Sequence, residues 1–208
     1  MEAVLAVYKR PHDPGYPVVC MDETSVQCVR EVRPPLAARP GQPARYDVEY
    51  ERNGVAHLVL FYAPFDNWRR IDVADNHAAG VWAEGVRRLV EEDYAQAKRI
   101  TLVMDNLNTH TGASLYKTFP PERARAILEK LEIVYTPKHG SWLNMAECEF
   151  SVLSRQCLSR RLPDSHTVTS EVAAWVGERN QQTKPVDWRF TTADARIKLK
   201  RLYPKLSE

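Results

Sequence analysis

The sequence predicts an α/β protein in which helices cover both faces of a mixed sheet, and three observations predict it. Two apolar runs of strand length end on aspartates, Asp22 and Asp105. Apolar residues alternate with polar ones before about residue 75, whereas beyond it they recur every three or four positions. Antiparallel strands are thus followed by helix, strand, helix, strand and helix, an order that favours a mixed sheet.

Local patterns justify the individual elements. Four prolines make residues 33–44 a loop, and an Asn-Gly pair at 53–54 predicts a hairpin turn. A Pro-Pro pair at 120–121 opens a helix, and a capping pattern at 191–194 opens another. The predicted strands are 17–22, 46–50, 57–62, 68–73, 99–105 and 133–135. The predicted helices are 81–90, 120–130, 143–157, 168–179 and 194–203.

The 208-residue chain has the composition of an ordinary globular protein. Hydrophobic residues make up 44% and charged residues 27%, which excludes disordered, collagen-like and coiled-coil proteins. No apolar run approaches the roughly 18 residues of a membrane span, and residues 1–10 lack a signal-peptide core, so we expect a cytoplasmic protein without a membrane partner. The cysteine spacings fit no zinc site, so buried free thiols are expected: Cys20, Cys28, Cys148 and Cys157.

We expect an N-terminal arm (1–16), a core (17–160) with a hairpin insertion at about 25–55, and a basic helical extension of the same domain (161–208). Residues 151–208 hold 11 Lys and Arg against 6 Asp and Glu, whereas the first 150 residues hold 18 against 21. A basic C-terminal quarter indicates a polyanionic partner, although a solvated charged helix explains the charge slightly better.

Three acids are candidates for chemistry. Asp22 and Asp105 end their predicted strands, and strand C-termini line the ligand crevice of open sheets. Glu147 lies at the border of the apolar stripe of helix 143–157. Convergent carboxylates require cations, and hard oxygen ligands suit Mg²⁺ or Mn²⁺. Two such ions about 3.5–4 Å apart would stabilise the attacking and leaving oxygens of a phosphoryl displacement.

Each acid also has a simpler interpretation. An aspartate at a strand end is commonly a turn former or a helix cap. Asn144-x-x-Glu147 resembles a capping box, in which the Glu147 side chain would fold back onto the backbone instead of binding a metal. Spacing alone leaves these alternatives open and favours them.

Three sequence blocks contain the acids: Met21-Asp22-Glu-Thr, Val103-Met-Asp105-Asn-Leu-Asn-Thr-His110 and His139-Gly-Ser-Trp-Leu-Asn-Met-Ala-Glu147. Together and in this order, they resemble the catalytic blocks of the DDE transposases, in the bacterial insertion-sequence group allied to mariner elements. The resemblance runs from about residue 1 to 206. It implies a ribonuclease H-like fold, and DNA strand cleavage and strand transfer at transposon ends with two Mg²⁺ ions, for which Mn²⁺ substitutes.

By position in the resembling blocks, Asp22 would bridge the two ions, while Asp105 and Glu147 would each complete one coordination sphere. The ions would activate water for cleavage and then the freed 3′-hydroxyl for attack on target DNA. The chain departs from the family in two ways. The 41 residues between the second and third acids exceed the usual spacing, and only 21 residues precede Asp22, so we expect a catalytic domain without its DNA-binding domain.

Residues near the acids and near the C-terminus are the predicted DNA contacts: Asn106, His110, Lys138, His139, Trp142, Arg196, Lys198, Lys200 and Arg201, with Lys205 in the same basic cluster. A structural or ligand-orienting role for His110, a helix-stapling role for Trp142 and a solvated face for the basic cluster remain alternatives.

The expected partners are DNA, as transposon ends and target, and further copies of the chain in a homodimer or synaptic complex. Bound to DNA, the protein would be associated with the nucleoid. Two other functions stay open. The chain could be a ribonuclease H-like nuclease without strand transfer, or a truncated, non-catalytic protein that binds DNA or inhibits transposition.

Overall fold

The structure is a computed structural model that describes residues 1–137, 140–182 and 184–203. One five-stranded sheet has the order β3-β2-β1-β4-β5. β2 is antiparallel to both of its neighbours, β1 and β3, while β1, β4 and β5 are parallel, so the predicted mixed sheet is confirmed. The strands are β1 (Val18–Glu31), β2 (Tyr50–Ala63), β3 (Trp68–Ala74), β4 (Ile100–Met104) and β5 (Leu131–Tyr135).

Helices cover both faces of this sheet, as predicted. They are α1 (Glu2–Tyr8), α2 (Ala79–Arg88), α3 (Gly112–Thr118), α4 (Pro121–Glu129), α5 (Met145–Gln156), α6 (Ser165–Gln181) and α7 (Thr192–Lys198). A π-helical turn extends α2 (Leu89–Asp93), and 3₁₀ turns precede α5 (Ser141–Leu143) and follow α7 (Lys200–Leu202). Within the described residues, no helix combines the length and the apolarity needed to cross a membrane.

Two separate cores lie on the two faces because successive side chains of a strand point to opposite sides. Cys20 packs into the core that α1, α5, α6 and α7 cover. Its neighbour Met21 packs into the core that α2, α3 and α4 cover. Even-numbered residues at the start of β1 therefore face α5, and odd-numbered ones face α2.

β1 is much longer than the predicted strand 17–22. Its first residues pair with β4, with Cys20 opposite Val103, and the rest continues in an antiparallel ribbon with β2 as far as Glu31. The prediction that Asp22 ends its strand is therefore wrong. The strand continues because β2 still offers backbone partners where β4 has ended.

The prediction of a hairpin turn at Asn53-Gly54 is also wrong, since both residues lie inside β2. The ladder between β1 and β2 shifts register opposite Cys28, and Gly54 has a φ of 86° there, as a β-bulge requires. A bulge and a hairpin turn both favour residues that tolerate positive φ, so the dipeptide did not distinguish them. The connection between β1 and β2 instead spans residues 32–49, and the predicted strand 46–50 is absent from this described segment.

Two further differences concern the helices and the thiols. The predicted N-terminal arm contains α1, whose Val4 and Leu5 are fully buried, and α3 was not predicted. The capping box of Thr191 and Asp194 is confirmed. Of the four cysteines, Cys148 is exposed, so the prediction of a buried thiol is wrong there.

Candidate active site

The strand register brings Asp22 next to Asp105. Cys20 lies opposite Val103 in the parallel ladder, and extending that register by two residues places Asp22 opposite Asp105, which directly follows β4. Side chains two residues apart on a strand share a face, so Asp22 lies on the face of Cys20 that α5 covers, and Asp105 lies beside it at the end of β4. The predicted pairing of these aspartates at one sheet edge thus has a geometric basis.

The start of α5 is tied directly to β1. The buried Asn144 caps the helix by accepting the backbone N–H of Ala146 at 3.2 Å, and its Nδ2 donates to the carbonyl oxygen of Met21 at 2.8 Å. Glu147 is in the first turn of this helix. One side chain therefore fixes Glu147 relative to the residue that precedes Asp22, a role that the sequence did not reveal.

The capping-box interpretation of Glu147 is not supported. α5 has the Asn144 cap alone, whereas α7 has both bonds of a capping box. Within the described residues, the Glu147 carboxylate accepts no hydrogen bond and forms no ion pair, and it lines an open cleft with Asp22.

Asp22 interacts with both other acids. Burial raises the pKa of its carboxyl to about 6, and the Glu147 and Asp105 carboxylates add to this rise, while the backbone N–H of Glu23 at 2.8 Å opposes it. Across the described ranges, no three His, Cys, Asp or Glu side chains are close enough to hold a metal ion as they stand. The acids share one negative region, and their side chains must reorient to share a cation.

His110 is the hydrogen-bond partner of Asp105. It is fully buried against Trp82, and its Nδ1 lies 2.6 Å from Asp105 Oδ1 while its Nε2 lies 3.2 Å from Glu23 Oε1. Burial lowers the pKa of the imidazole, but the hydrogen bonds to the two carboxylates outweigh it and raise the pKa to about 9. Both ring nitrogens are therefore protonated at neutral pH and donate.

Glu23 is a residue that sequence reasoning missed. Besides His110, its carboxylate contacts His77 at 2.9 Å, and Ser25 lies within hydrogen-bond distance of both His77 and His57. This chain of polar groups lies on the α2 face of the sheet, opposite Asp22. The sequence did contain a signal for this placement. Glu23 directly follows Asp22, and neighbours on a strand point to opposite faces, so Glu23 was to be expected on the face opposite that acid.

Comparison with known proteins identifies the family. The family model for the DDE superfamily endonucleases matches residues 17–169. The chain belongs to this family. No curated protein sequence matches the chain.

The fold of this chain is also similar to solved structures of the Mos1 mariner transposase. A pre-cleavage Mos1 transpososome is 17% identical with a TM-score of 0.59, over 88% of this chain and 53% of that one. The Mos1 catalytic domain is 13% identical with a TM-score of 0.55, over 86% of both chains. A Mos1 paired-end complex with Mn is 17% identical with a TM-score of 0.55, over 86% of this chain and 58% of that one. These likenesses confirm the predicted ribonuclease H-like fold, and this chain spans about half the length of the Mos1 chains in the DNA complexes.

The predicted DNA contacts near the acids differ in exposure. Asn106 is exposed just beyond Asp105, and Trp142 is 42% exposed, with its ring edge-on to Phe190 at 6.4 Å. The predicted phosphate contact by His110 is wrong because the ring is fully buried, which leaves its orienting role. Two further predicted contacts, Lys138 and His139, lie outside the described residues.

The predicted basic cluster is exposed but partly engaged. Arg196 pairs with Glu2 at 2.8 Å, and Lys198 lies 5.7 Å from the centre of the Phe190 ring. Lys200 and Arg201 are exposed in the last 3₁₀ turn. The remaining member, Lys205, lies outside the described residues. Because Phe190 also contacts Trp142, the cluster lies near the start of α5.

Proposed function

We propose that this chain is the catalytic domain of a transposase that cleaves and joins DNA, with Asp22, Asp105 and Glu147 as its catalytic acids. The observation that carries the proposal is the negative region at the C-terminal end of the parallel strands, where Asp22 interacts with both other carboxylates. Membership of the DDE superfamily endonucleases supports a nuclease-type enzyme. The similar Mos1 structures are complexes with transposon ends and a strand transfer complex, which supports a DNA substrate.

The donor set fits Mg²⁺ or Mn²⁺. Three carboxylates supply hard oxygen ligands. Burial raises the pKa of Asp22, repulsion by Glu147 and Asp105 adds to the rise, and a bound cation would relieve both effects. Asp22, Asp105 and Glu147 are the residues that would hold the ions. Bound there, the ions would supply Lewis-acid stabilisation of the attacking and leaving oxygens.

The chain's own residues prepare this site. His110 Nδ1–H donates to Asp105, and Glu23 accepts from Nε2–H, so an imidazole held by two hydrogen bonds fixes the position of the Asp105 carboxylate. Asn144 fixes the start of α5 and with it the first-turn position of Glu147. Both positioning groups are buried, where hydrogen bonds are less exposed to competition from water.

Exposed residues near the site remain proposed DNA contacts. Asn106 directly follows Asp105, and Trp142 lies in the 3₁₀ turn that precedes α5. The exposed cations of the C-terminal cluster are Arg196, Lys198, Lys200 and Arg201. Phosphate contacts by these cations would position DNA without reading its sequence.

The test is cleavage and joining of DNA in Mn²⁺ or Mg²⁺ by the purified chain and by Asp22→Asn, Asp105→Asn and Glu147→Gln. Each variant is expected to lose metal-dependent cleavage while keeping its fold and its DNA binding. Glu129→Gln, an exposed carboxylate on α4 paired with Arg125, is the matched control and should cleave normally.

A duplex with a pre-cut 3′ end separates the alternatives. Joined product supports a transposase, whereas cleavage without joining identifies a nuclease. DNA binding without cleavage by the wild-type chain would identify a non-catalytic binder. Cleavage retained by any one of the three variants would remove that acid from the assignment.

A further inference from the structure

We propose that β1 and α5 form a track for the sugar–phosphate backbone of one DNA strand, which begins at Asp22 and Glu147 and ends at Arg155. The proposal rests on the proposed function and adds the residues that hold the strand. The track is an open cleft of about 490 Å³. Its lining comprises Asp22, Glu23, Thr24, Glu147, Phe150, Ser151, Ser154 and Arg155.

Helical spacing places the α5 residues of the track on one face. Positions 151, 154 and 155 follow position 147 by four, seven and eight residues. All four positions therefore fall within about 100° around a helix of 3.6 residues per turn. The buried residues Ala146, Phe150 and Leu153 follow the adjacent stripe that packs on the sheet. Packing of that stripe therefore turns the track residues toward the cleft.

Three hydroxyl groups of the track form no hydrogen bond within the described part of the chain, those of Thr24, Ser151 and Ser154. Elsewhere, the Ser114 and Thr118 hydroxyls donate to backbone carbonyls 2.7 and 2.8 Å away. Serine and threonine hydroxyls are common donors to DNA phosphates, and such contacts carry no sequence preference.

Arg155 provides the positive end. It is exposed, and among the residues described it forms no ion pair, whereas the nearby Arg160 pairs with Glu171 and Arg161 with Glu31. An acidic end alone would repel a polyanion. A guanidinium at the opposite end attracts phosphate and binds it without a metal.

The length of the track suits several nucleotides. Eight residues of α-helix between Glu147 and Arg155 correspond to about 12 Å. Because the backbone path between successive phosphates is longer than the roughly 3.4 Å rise along the duplex axis, a strand that follows the helix covers this distance in about two to three steps. One phosphate would then lie at the acids while its neighbours reach the hydroxyls and Arg155.

The experiment measures DNA binding without metal. The full chain, Arg155→Gln and a Ser151→Ala/Ser154→Ala double variant are titrated in EDTA against a fluorescent duplex with a 3′ single-stranded overhang, at several salt concentrations. Loss of one phosphate contact in Arg155→Gln should lower the magnitude of the salt slope by about 0.7–0.9 and weaken binding several-fold. The double variant should weaken binding with little change in the slope, because the hydroxyls are neutral.

Arg125→Gln is the matched control, since Arg125 is an exposed arginine on α4 paired with Glu129. Its affinity and salt slope should equal those of the wild type. An Arg155→Gln slope equal to that of the control overturns the track, even where the acid variants abolish cleavage as proposed. A reduced slope in a chain that never cleaves supports the track and overturns the proposed function alone.

Discussion

Two glutamates on α5, two residues apart, lie in opposite electrostatic surroundings. Glu149 is buried, with 5% of its side chain exposed, and it pairs with Arg69 at 2.9 Å and Arg179 at 3.0 Å. Glu147 faces the cleft beside Asp22, and it has no ion pair within the described residues. Residues two apart on a helix point about 200° apart, so one turn of α5 presents a carboxylate to each region.

The difference separates a structural carboxylate from a candidate catalytic one. Around Glu149, Arg69 is fully buried and also bonds Asn180 of α6, so the neutralised cluster joins β3, α5 and α6. Around Glu147 the neighbouring charges are those of Asp22 and Asp105, and within the described residues only Asp105 has a cationic partner, His110. The first cluster is complete in itself, whereas the second is suited to binding a cation.

The largest expected effect comes from breaking the neutralised cluster. Glu149→Ala leaves the Arg69 guanidinium buried without its carboxylate, and removing one partner of a buried pair costs about 3–5 kcal/mol. Urea denaturation of the metal-free protein measures this loss in the free energy of unfolding. A cost below about 1 kcal/mol would show that Arg69 finds another partner and that the contrast between the two regions is weaker than proposed.

A smaller effect of opposite sign is expected in the acidic region. Because folding raises the pKa of Asp22 to about 6, the ionised carboxylate destabilises the folded state above the unfolded pKa of about 3.8. Asp22→Asn should therefore stabilise the protein in EDTA at pH 8 by about 1–3 kcal/mol. The gain should shrink as the pH falls through 6 and vanish below 3.8.

Thermal denaturation of Asp22→Asn and wild type across this pH range gives the comparison, with Glu129→Gln as a control of unchanged stability. A destabilised Asp22→Asn at pH 8 would contradict the description of Asp22 as an uncompensated charge. A pH-independent gain would trace the effect to the amide itself instead of the lost charge.

The smallest effect on stability is expected for Glu147→Gln. Its carboxylate faces the cleft without a partner in the described chain, so substitution should change the free energy of unfolding in EDTA by less than about 0.5 kcal/mol. The same variant should lose most of the rise in Tm that Mn²⁺ gives the wild type. A full Mn²⁺ shift in Glu147→Gln would place the ions elsewhere.

Local patterns succeeded where a single element decided them. Helices α4, α5, α6 and α7 and the capping box at Thr191 follow from periodicity and caps that act within one helix. The hairpin at Asn53-Gly54 failed because positive φ serves a bulge as well as a turn, and pairing with β1 decides between them. The predicted end of β1 at Asp22 was wrong for a similar reason, since β2 supplies backbone hydrogen-bond partners that the residues of β1 do not reveal.

The sequence by itself determined which residues carry the candidate chemistry: Asp22, Asp105 and Glu147 stand in three blocks whose order and types are recognisable before any fold is known. Only the tertiary structure decided what surrounds them. The burial of His110 between Asp105 and Glu23, the Asn144 bond to Met21 and the neutralisation of Glu149 by Arg69 all join residues distant along the chain. Such contacts depend on strand register and helix packing, which no local pattern encodes.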